Sequence, residues 1–486
     1  MKKLIRAIIF MTIVGIGSFS VCAIFQAPPN SGIPTFRTFY NLPRNSVDVI
    51  YIGASSVYAS WLPSKAYNDY GIASMEMSSP GMPFPIAKNM IIEAKKTQTP
   101  KLFIVDLRTS AHNERNEQSI RNAVDSMNFS LNRFAAIDTL LTEGTAHASE
   151  KFDYYFPITK YHQRWKELDA RDFGYPYSTV FMGANFSNVV KAQESPTRVD
   201  YDVAPVSPGK NIEKAVSDLV NYCTADTESK YLFLVAPYMQ KEHFAYLNWT
   251  KKQLANAGLD VLDTSHYVDE MGINFETDFR DVNHFNIYGG LKYTDWFSQW
   301  LLAHYDLQDR YGQSNYVEWQ DDYKRFLPYL LSHTNNLKYY LEYINNPRFT
   351  LFFSICDEAS KNLTDEQMAS FAELGFKSDL KSVYKASFVG VWQNGGVVYE
   401  SYGDLKGEEM QSSGILPNGI GYSIVSSTTN VTDKQSRGKA SIVLNSEEYA
   451  INSRGINIVV YDTETGKVID SVAWDTWKDA GVTLKR

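Results

Sequence analysis

Apolar runs alternate with helical spacings between residues 47 and 304. The runs are 47–53 (VDVIYIG), 72–77, 101–106 (KLFIVD), 231–236 (YLFLVA) and 259–263. Uninterrupted apolar runs are typical of strands in a parallel sheet that helices cover on both faces. Ile86, Met90 and Ala94 recur every four residues between two of the runs, and an aromatic-rich helix is predicted at 289–304. The alternation predicts a three-layer α/β domain.

The stretch from Asn113 to Asn211 breaks this alternation. It is longer than one crossover between strands requires, and it has no clean periodicity. Segments of this length inside a compact domain are often functional. We therefore predict an inserted helical or loop region near the functional site.

The pattern changes again after His304. Two amphipathic helices are predicted at 316–331 and 337–344, and short strands with turn signals follow from Phe349. Asn394-Gly395 between apolar runs predicts a β-hairpin. Thr364 with Gln367 predicts a capping box at the start of a helix that ends at Gly375.

The N-terminus predicts a membrane anchor. Lys2, Lys3 and Arg6 precede an apolar run at 7–25, which is long enough to span a bilayer. Basic residues before the run keep the short tail in the cytoplasm, so the bulk of the chain is expected outside a cell membrane crossed once. We expect one helix that does not pack against the α/β domain. The alternative is a signal peptide cleaved near Val21-Cys22-Ala23, which leaves a secreted protein.

Composition narrows the classes of function. A chain of 486 residues is too long for one hydrophobic core, so at least two domains are expected. A net charge of −8 argues against a nucleic-acid partner. Cys22, Cys223 and Cys356 form no Cys-x-x-Cys pair, so the last two are expected to be small buried apolar residues. The histidines lack metal-ligand spacing, and neither a metal nor another cofactor is expected.

A serine follows the first predicted strand directly, in Gly53-Ala54-Ser55-Ser56. The carboxyl ends of parallel strands are where ligands bind. A serine on this strand-to-helix turn lies near backbone N–H groups that can stabilise an oxyanion. A serine that only caps a helix is the alternative explanation.

A second motif, Asp281-Val282-Asn283-His284, lies between the last predicted strand and the last helix of the same unit. A serine hydroxyl needs a base, and a histidine base needs a carboxylate that fixes its tautomer. A spacing of three residues lets one loop supply both groups. The same motif also occurs where an aspartate caps a helix and the histidine lies on the surface. Its position before the last helix of the α/β unit is what favours the catalytic interpretation.

These motifs resemble the SGNH/GDSL hydrolase family between about Thr38 and His304. The stretches that carry the resemblance are VDVIYIGASSVYASWLPSKAY and TDFRDVNHFNIYGGLKYT. They are similar to its anchored bacterial branch, which includes the D-alanine transfer protein of teichoic-acid synthesis and alginate-type O-acetylation proteins. The resemblance implies a flavodoxin-like α/β/α fold, a catalytic triad of Ser55, Asp281 and His284, and an oxyanion hole from the N–H groups of Ser55 and Gly81.

The chain departs from the family pattern in two places. Ala54 replaces the aspartate of the G-D-S block, and the third block has no clear counterpart. The position of the third block is occupied by Asp106-Leu107-Arg108-Thr109. A third oxyanion donor is therefore unassigned. Ser56 remains an alternative nucleophile by sequence. Three aromatic residues after strand ends fit either a substrate pocket or the core: Tyr58, Trp61 and Tyr238.

The C-terminal part resembles the interleukin-like EMT inducer domain. RGINIVVYD at 454–462, the turn around Gly466 and WDTW at 474–477 carry the resemblance. It implies a compact β-rich α/β fold without catalysis, and some members bind carbohydrate. Trp392, Trp474 and Trp477 are candidate sugar platforms, with core burial expected for Trp474. A domain that binds sugar should expose Trp392 or Trp477, and a structural or protein-contact domain is the alternative.

The predicted organisation is an anchor at 1–28, an SGNH/GDSL-like domain at 29–308, a helical linker at 309–348 and the second domain at 349–486. The predicted function is an extracytoplasmic serine esterase or O-acyltransferase, with acetyl the expected acyl group, that acts on cell-wall or other surface polysaccharide. Its expected partners are the glycan and a membrane-bound O-acyltransferase. Hydrolase and transferase share one triad, so the sequence leaves them open. The alternative is a non-catalytic glycan-binding or assembly factor on the same fold.

Overall fold

The computed structural model describes residues 2–25, 32–112, 116–141, 148–174, 180–403, 408–429, 438–479 and 481–486. The chain divides into two compact units, Met1–Phe326 and Leu327–Arg486, called unit 1 and unit 2. The division falls inside the segment predicted as a helical linker, 309–348. The mixed α/β composition predicted from the sequence is confirmed, with a parallel sheet in unit 1 and a β-rich sheet in unit 2.

The described elements of unit 1 are as follows. The strands are β1 (Val49–Gly53), β2 (Ser74–Ser78), β3 (Leu102–Asp106), β4 (Lys230–Val235), β5 (Asp260–Asp263), β6 (Phe279–Asp281) and β7 (His284–Phe285). The helices are α1 (Lys2–Ile24), α2 (Ile33–Asn41), α3 (Ser55–Tyr58), α4 (Pro63–Tyr70), α5 (Ala87–Ala94), α6 (Glu117–Val124), α7 (Leu131–Leu140), α8 (Ala148–Tyr155), α9 (Ile158–Tyr161), α10 (Arg198–Tyr201), α11 (Lys210–Ala225), α12 (Phe244–Asn256) and α13 (Ile287–His304). Helix α14 (Val317–His333) runs across the division. Short 3-10 helices lie at Phe84–Ile86, Arg108–Ala111, His162–Lys166, Ala170–Phe173, Lys241–His243, Thr264–Tyr267 and Ser314–Tyr316.

Strands β1 to β5 form one parallel sheet in the order β2-β1-β3-β4-β5. Each of the five coincides with a strand predicted from the sequence, although β2 (SMEMS) and β5 (DVLD) include charged residues. The order reverses between β1 and β3, because β2 lies on one side of β1 and the later strands lie on the other. Ligands of doubly wound sheets bind in the crevice at the carboxyl ends of the strands where this reversal occurs.

The sheet is apolar on both faces. Ile50 and Ile52 of β1 belong to one core cluster, which also contains Met90 of α5 and Leu219 of α11. The neighbouring Tyr51 belongs to a second cluster, which includes residues of α13. Since side chains alternate along a strand, the two clusters lie on opposite faces and helices cover both. This explains why β1, β3 and β4 are nearly uninterrupted apolar runs in the sequence, whereas β2 carries the buried Glu76.

The inserted region predicted at 113–211 is helical over much of its described part, as expected. A buried arginine, Arg133, fastens it internally. Its guanidinium donates to the carbonyl of Val124 (2.8 Å), to the carbonyl of Tyr154 (2.7 Å) and to the carboxylate of Asp125 (3.1 Å). One side chain therefore joins α6, α7 and α8.

Helix α1 has 23 residues and is long and apolar enough to cross a membrane by length and composition, a test that a signal sequence also passes. Its apolar side chains are exposed over most of its length. Cys22 in the last turn is buried, however, and lines a small cavity with Ala23, Asp125 and Arg133. The expectation of a helix without packing contacts is thus wrong for its final turn.

Unit 2 contains α15 (Leu337–Ile344), α16 (Asp365–Glu373) and a ten-stranded sheet. Its strands are β8 (Phe349–Cys356), β9 (Ser387–Gln393), β10 (Gly396–Gly403), β11 (Glu409–Ile415), β12 (Gly421–Ser427), β13 (Lys439–Leu444), β14 (Glu447–Glu448), β15 (Gly455–Asp462), β16 (Lys467–Asp475) and β17 (Thr483–Lys485). The order is β14-β13-β12-β8-β15-β16-β17, while β9 pairs with β8 and β10, and β11 pairs with β12.

Local chemistry predicted from the sequence appears in unit 2 as expected. Asn394 and Gly395, both with positive φ, form the two-residue turn between β9 and β10. The capping box of Thr364 and Gln367 opens α16. Cys356 is a free, buried thiol, as is Cys223 in unit 1.

The tryptophans of unit 2 differ in burial. Trp392 is 0% exposed, and its indole N–H donates to the carbonyl of Leu374 (2.9 Å), so its expected role as a sugar platform is wrong. Trp474 is buried against Tyr340, as expected. Trp477 is partly exposed, with the ammonium of Lys361 above its ring.

We predict that residues 327–486 fold as an isolated segment and that residues 349–486 do not fold with the same stability. The longer segment keeps Tyr340 of α15, which is fully buried and donates to Asp470 (2.9 Å). Loss of a buried aromatic side chain costs about 3 to 5 kcal/mol. Urea unfolding followed by far-UV circular dichroism compares the two segments. Equal midpoints and slopes would contradict the prediction.

Candidate active site

Ser55 begins α3 immediately after β1, at the crevice of the parallel sheet. Gly53 ends the strand where β1 closely approaches β3. A Cβ atom on Gly53 would lie 2.6 Å from Cβ of Asp106 and 2.7 Å from a methyl carbon of Val57. Only glycine fits such contacts without a shift of the backbone, and the glycine thereby keeps Ser55 beside the end of β3.

The second motif folds into a small antiparallel ribbon, β6 and β7, in which Asp281 pairs with His284. Asn286 then caps α13, because its side-chain oxygen accepts from the N–H of Tyr288 (3.0 Å). The amide nitrogen of the same side chain donates to the carbonyl of Thr277 (2.7 Å). The ribbon is therefore tied to the start of a buried helix and has a fixed position.

The two motifs meet. Nε2 of His284 lies 2.6 Å from Oγ of Ser55, and Nδ1 lies 2.8 Å and 3.0 Å from the carboxylate oxygens of Asp281. Ser56 is buried one residue further on and is not the serine that contacts His284. The residues named from the sequence as nucleophile, base and orienting carboxylate form one continuous chain of hydrogen bonds.

The surroundings of His284 favour its neutral form. Burial, together with the cations of Arg108 and Arg280, lowers the pKa of His284 to about 4, although Asp281 acts in the opposite direction. Partial burial would raise the pKa of Asp281, but the N–H of Asn283 and the neighbouring His284 hold it below its usual value. A neutral ring with Nδ1–H facing a carboxylate leaves Nε2 as an acceptor for the hydroxyl proton of Ser55.

Arg108 occupies the place where the sequence left the third oxyanion donor unassigned. Arg108 is 6% exposed, and its Nη1 donates to the carbonyl of Asn283 (2.6 Å). Nε lies 3.7 Å from the carboxylate of Asp106, which also accepts from the backbone N–H of Arg108 (2.6 Å). The guanidinium thus connects the end of β3 to the ribbon that carries His284.

Gly81 follows β2 and faces the same cavity. Its φ of +66° is the left-handed conformation that glycine accepts, and a Cβ atom there would lie 2.4 Å from Oγ of Ser119. Within the described residues, neither the N–H of Ser55 nor that of Gly81 donates a hydrogen bond. Both groups are therefore available to an oxygen atom bound in the cavity.

A cavity of about 350 Å³ contains these groups. Its lining residues are Ala54, Ser55, Ser56, Gly81, Pro83, Arg108, Thr109, His112, Asn116, Ser119, Tyr238, Gln240, Asn283 and His284. They come from the carboxyl ends of β1, β2, β3 and β4, from the inserted region and from the ribbon. Sites of this size and mixed polarity accommodate small organic groups.

The aromatic residues named from the sequence have different positions. Tyr238 lines the cavity, where the guanidinium of Arg108 lies 5.2 Å from its ring centre. Trp61 is buried against Phe297 and belongs to the core. Tyr58 is partly buried beside Ser55 and Arg280.

Sequence reasoning missed Asn116 and Ser119, which line the cavity from the inserted region. No periodic signal marks them; only the length of the insertion does. Among the residues that the structure describes, no group of three or more metal-ligating side chains lies together.

Comparison of the chain with protein-family models, with curated proteins and with solved structures finds no match. The geometry of the site and the resemblance of its motifs are therefore the basis for its function.

We predict that a fluorophosphonate labels the protein at Ser55. A neutral imidazole hydrogen-bonded to a serine hydroxyl is the arrangement that makes serine nucleophilic. Ser55→Ala and His284→Ala should abolish labelling, detected by intact-protein mass spectrometry. Ser56→Ala is the matched control and should still be labelled. Adduct formation that survives Ser55→Ala would contradict the assignment.

We also predict that the labelling rate has an acid limb near pH 4, well below the ordinary value for histidine, because only neutral His284 accepts the proton. Arg108→Gln removes a cation that lowers the pKa of His284, so the limb should move to higher pH. Lys214→Gln, on the exposed face of α11, is the control and should leave it in place. If Arg108→Gln only damaged the structure, the maximal labelling rate would fall and the pH at which the rate declines would stay the same.

Proposed function

We propose that the chain is an SGNH-type serine esterase or O-acyltransferase that acts on ester-linked acyl groups, with acetyl the expected one, of surface polysaccharide. The observation that carries the proposal is the hydrogen-bonded chain from Ser55 through His284 to Asp281. It lies at the crevice of a β2-β1-β3-β4-β5 sheet, and the same strand order occurs in flavodoxin-like folds. The sequence motifs and this order support the family resemblance independently.

The proposed reaction begins when Oγ of Ser55 attacks the acyl carbonyl carbon while Nε2 of His284 takes the hydroxyl proton. The tetrahedral intermediate collapses, the ester C–O bond breaks, and His284 returns the proton to the departing alcohol. The acyl group is then bonded to Ser55. Water or a glycan hydroxyl attacks next, loses its proton to His284, and releases the acid or the new ester while Ser55 regains its proton.

The negative charge of both tetrahedral intermediates would be stabilised by the N–H groups of Ser55 and Gly81. Arg108 adds a cation on the wall of the same cavity, at the position where the family has its third block. One donor directed at a developing oxyanion is worth about a hundredfold to a thousandfold in rate. We assign Arg108 to this role in addition to its contact with Asn283.

The proposed location is the outer face of a cell membrane, with α1 as the anchor. The basic residues before the apolar run and the length of α1 support this orientation. A surface glycan is then the acceptor or substrate, and a membrane-bound O-acyltransferase is the proposed partner that supplies acyl groups. A secreted form, cleaved after the apolar run, has the same active site.

We predict that the protein reacts with a p-nitrophenyl acyl ester to form an acyl-enzyme at Ser55. A glycan hydroxyl should then compete with water for the acyl group. Release of p-nitrophenol should exceed release of free acid when cell-wall glycan is added, and the difference should appear as esterified glycan by mass spectrometry. Equal release at every glycan concentration identifies an esterase instead. Ser55→Ala is the control for both products.

Failure to form an acyl-enzyme with acyl esters of several chain lengths would contradict the proposed enzyme. If the protein forms no acyl-enzyme but still binds the glycan, and if Ser55→Ala binds it with the same affinity as the wild type, the protein is the non-catalytic glycan-binding factor.

A further inference from the structure

The last turn of α1 contacts a particular face of unit 1. Cys22 and Ala23 line a cavity together with Asp125, Phe129 and Arg133. Cys22 is buried by this contact, while the preceding apolar side chains of α1 are exposed. If α1 spans a bilayer, the face around Phe129 is therefore the part of unit 1 nearest to the lipid.

The same face carries aromatic side chains that the fold leaves exposed. Phe129 is 40% exposed and Phe152 is 52% exposed. Their rings are joined through Phe156, at 6.2 Å from Phe129 and 4.8 Å from Phe152, and Phe134 lies 4.9 Å from Phe129. We call these four residues the aromatic cluster. Contiguous exposed apolar surface of this kind marks an interaction site in proteins.

Charge does not explain the cluster. The nearby Lys151 pairs with Asp138 (3.0 Å), and the hydroxyl of Tyr155 donates to the same carboxylate (2.7 Å). The whole chain carries a net charge of −8. Apolar contact is therefore the interaction that the exposed rings offer.

We propose that the aromatic cluster inserts into the interfacial region of the bilayer that α1 spans. Aromatic side chains favour the boundary between headgroups and acyl chains, and apolar area buried there adds to the binding of a nearby anchor. Two contacts, α1 and the cluster, then fix the orientation of unit 1 on the membrane. The inference depends on α1 as an anchor and is independent of the chemistry proposed for Ser55.

The test uses the full-length protein in phosphatidylcholine nanodiscs. An environment-sensitive nitrobenzoxadiazole label is attached to Phe152→Cys, or to Leu302→Cys as the matched control. Leu302 is 41% exposed and lies on α13, which covers the opposite face of the sheet. The three native cysteines are buried, and the unsubstituted protein measures their background labelling.

We expect the label at Phe152 to emit at shorter wavelength, to lose emission with lipid that carries a nitroxide below the headgroup, and to resist aqueous iodide. The label at Leu302 should show the reverse. Equal exposure of both labels to iodide would overturn the proposal. Protection of the Phe152 label only after a second membrane protein is added would also overturn it, because the cluster would then bind protein. Far-UV circular dichroism and thermal unfolding of both variants report that the fold is intact.

Discussion

One buried cation, Arg108, holds the functional end of the parallel sheet together. Its guanidinium lies between the carboxylate of Asp106 at the end of β3 and the carbonyl of Asn283 in the ribbon. A buried charge is tolerated only when it is paired and hydrogen-bonded, and removal of one partner costs about 3 to 5 kcal/mol. The position of His284 relative to Ser55 depends on this arrangement, because Asn283 directly precedes His284.

The same cation affects the chemistry of the site. It lies close enough to lower the pKa of His284, and burial acts in the same direction. A base that stays neutral far into the acid range accepts a proton at any pH near neutrality. The cost is a weaker base, since proton affinity falls with pKa. Asp281 offsets part of this loss by stabilising the protonated ring during the reaction.

The sequence predicted the parallel sheet well, because strands buried on both faces favour long apolar runs, as 102–105 (LFIV) illustrates. It also predicted that Ser55 and His284 come together, since the first motif follows β1 and the second lies between the last strand of the parallel sheet and α13. It did not predict the burial of Arg108, because charged residues are placed at the surface unless their partners are known. Asp106 and Asn283 are distant in sequence from one another, so that partnership exists only in the fold.

The tryptophans of unit 2 illustrate the same limit. The turn at Asn394 and the capping box at Thr364 depend on neighbours in sequence, and both are present. Whether Trp392 is exposed depends on which segment covers its face of the sheet. The carbonyl of Leu374, just after α16, accepts its indole N–H and closes that face. Propensity and periodicity hold no information about such contacts.

The ribbon of β6 and β7 carries both Asp281 and His284, so one short segment positions both groups. The relay therefore has a single joint between separate parts of the chain, the 2.6 Å contact from Nε2 of His284 to Oγ of Ser55. A displacement of about 1 Å at such a joint can cost about a hundredfold in rate. Because Asn286 and Arg108 both hold the ribbon, the alignment of the nucleophile with its base depends on contacts made by residues outside the triad.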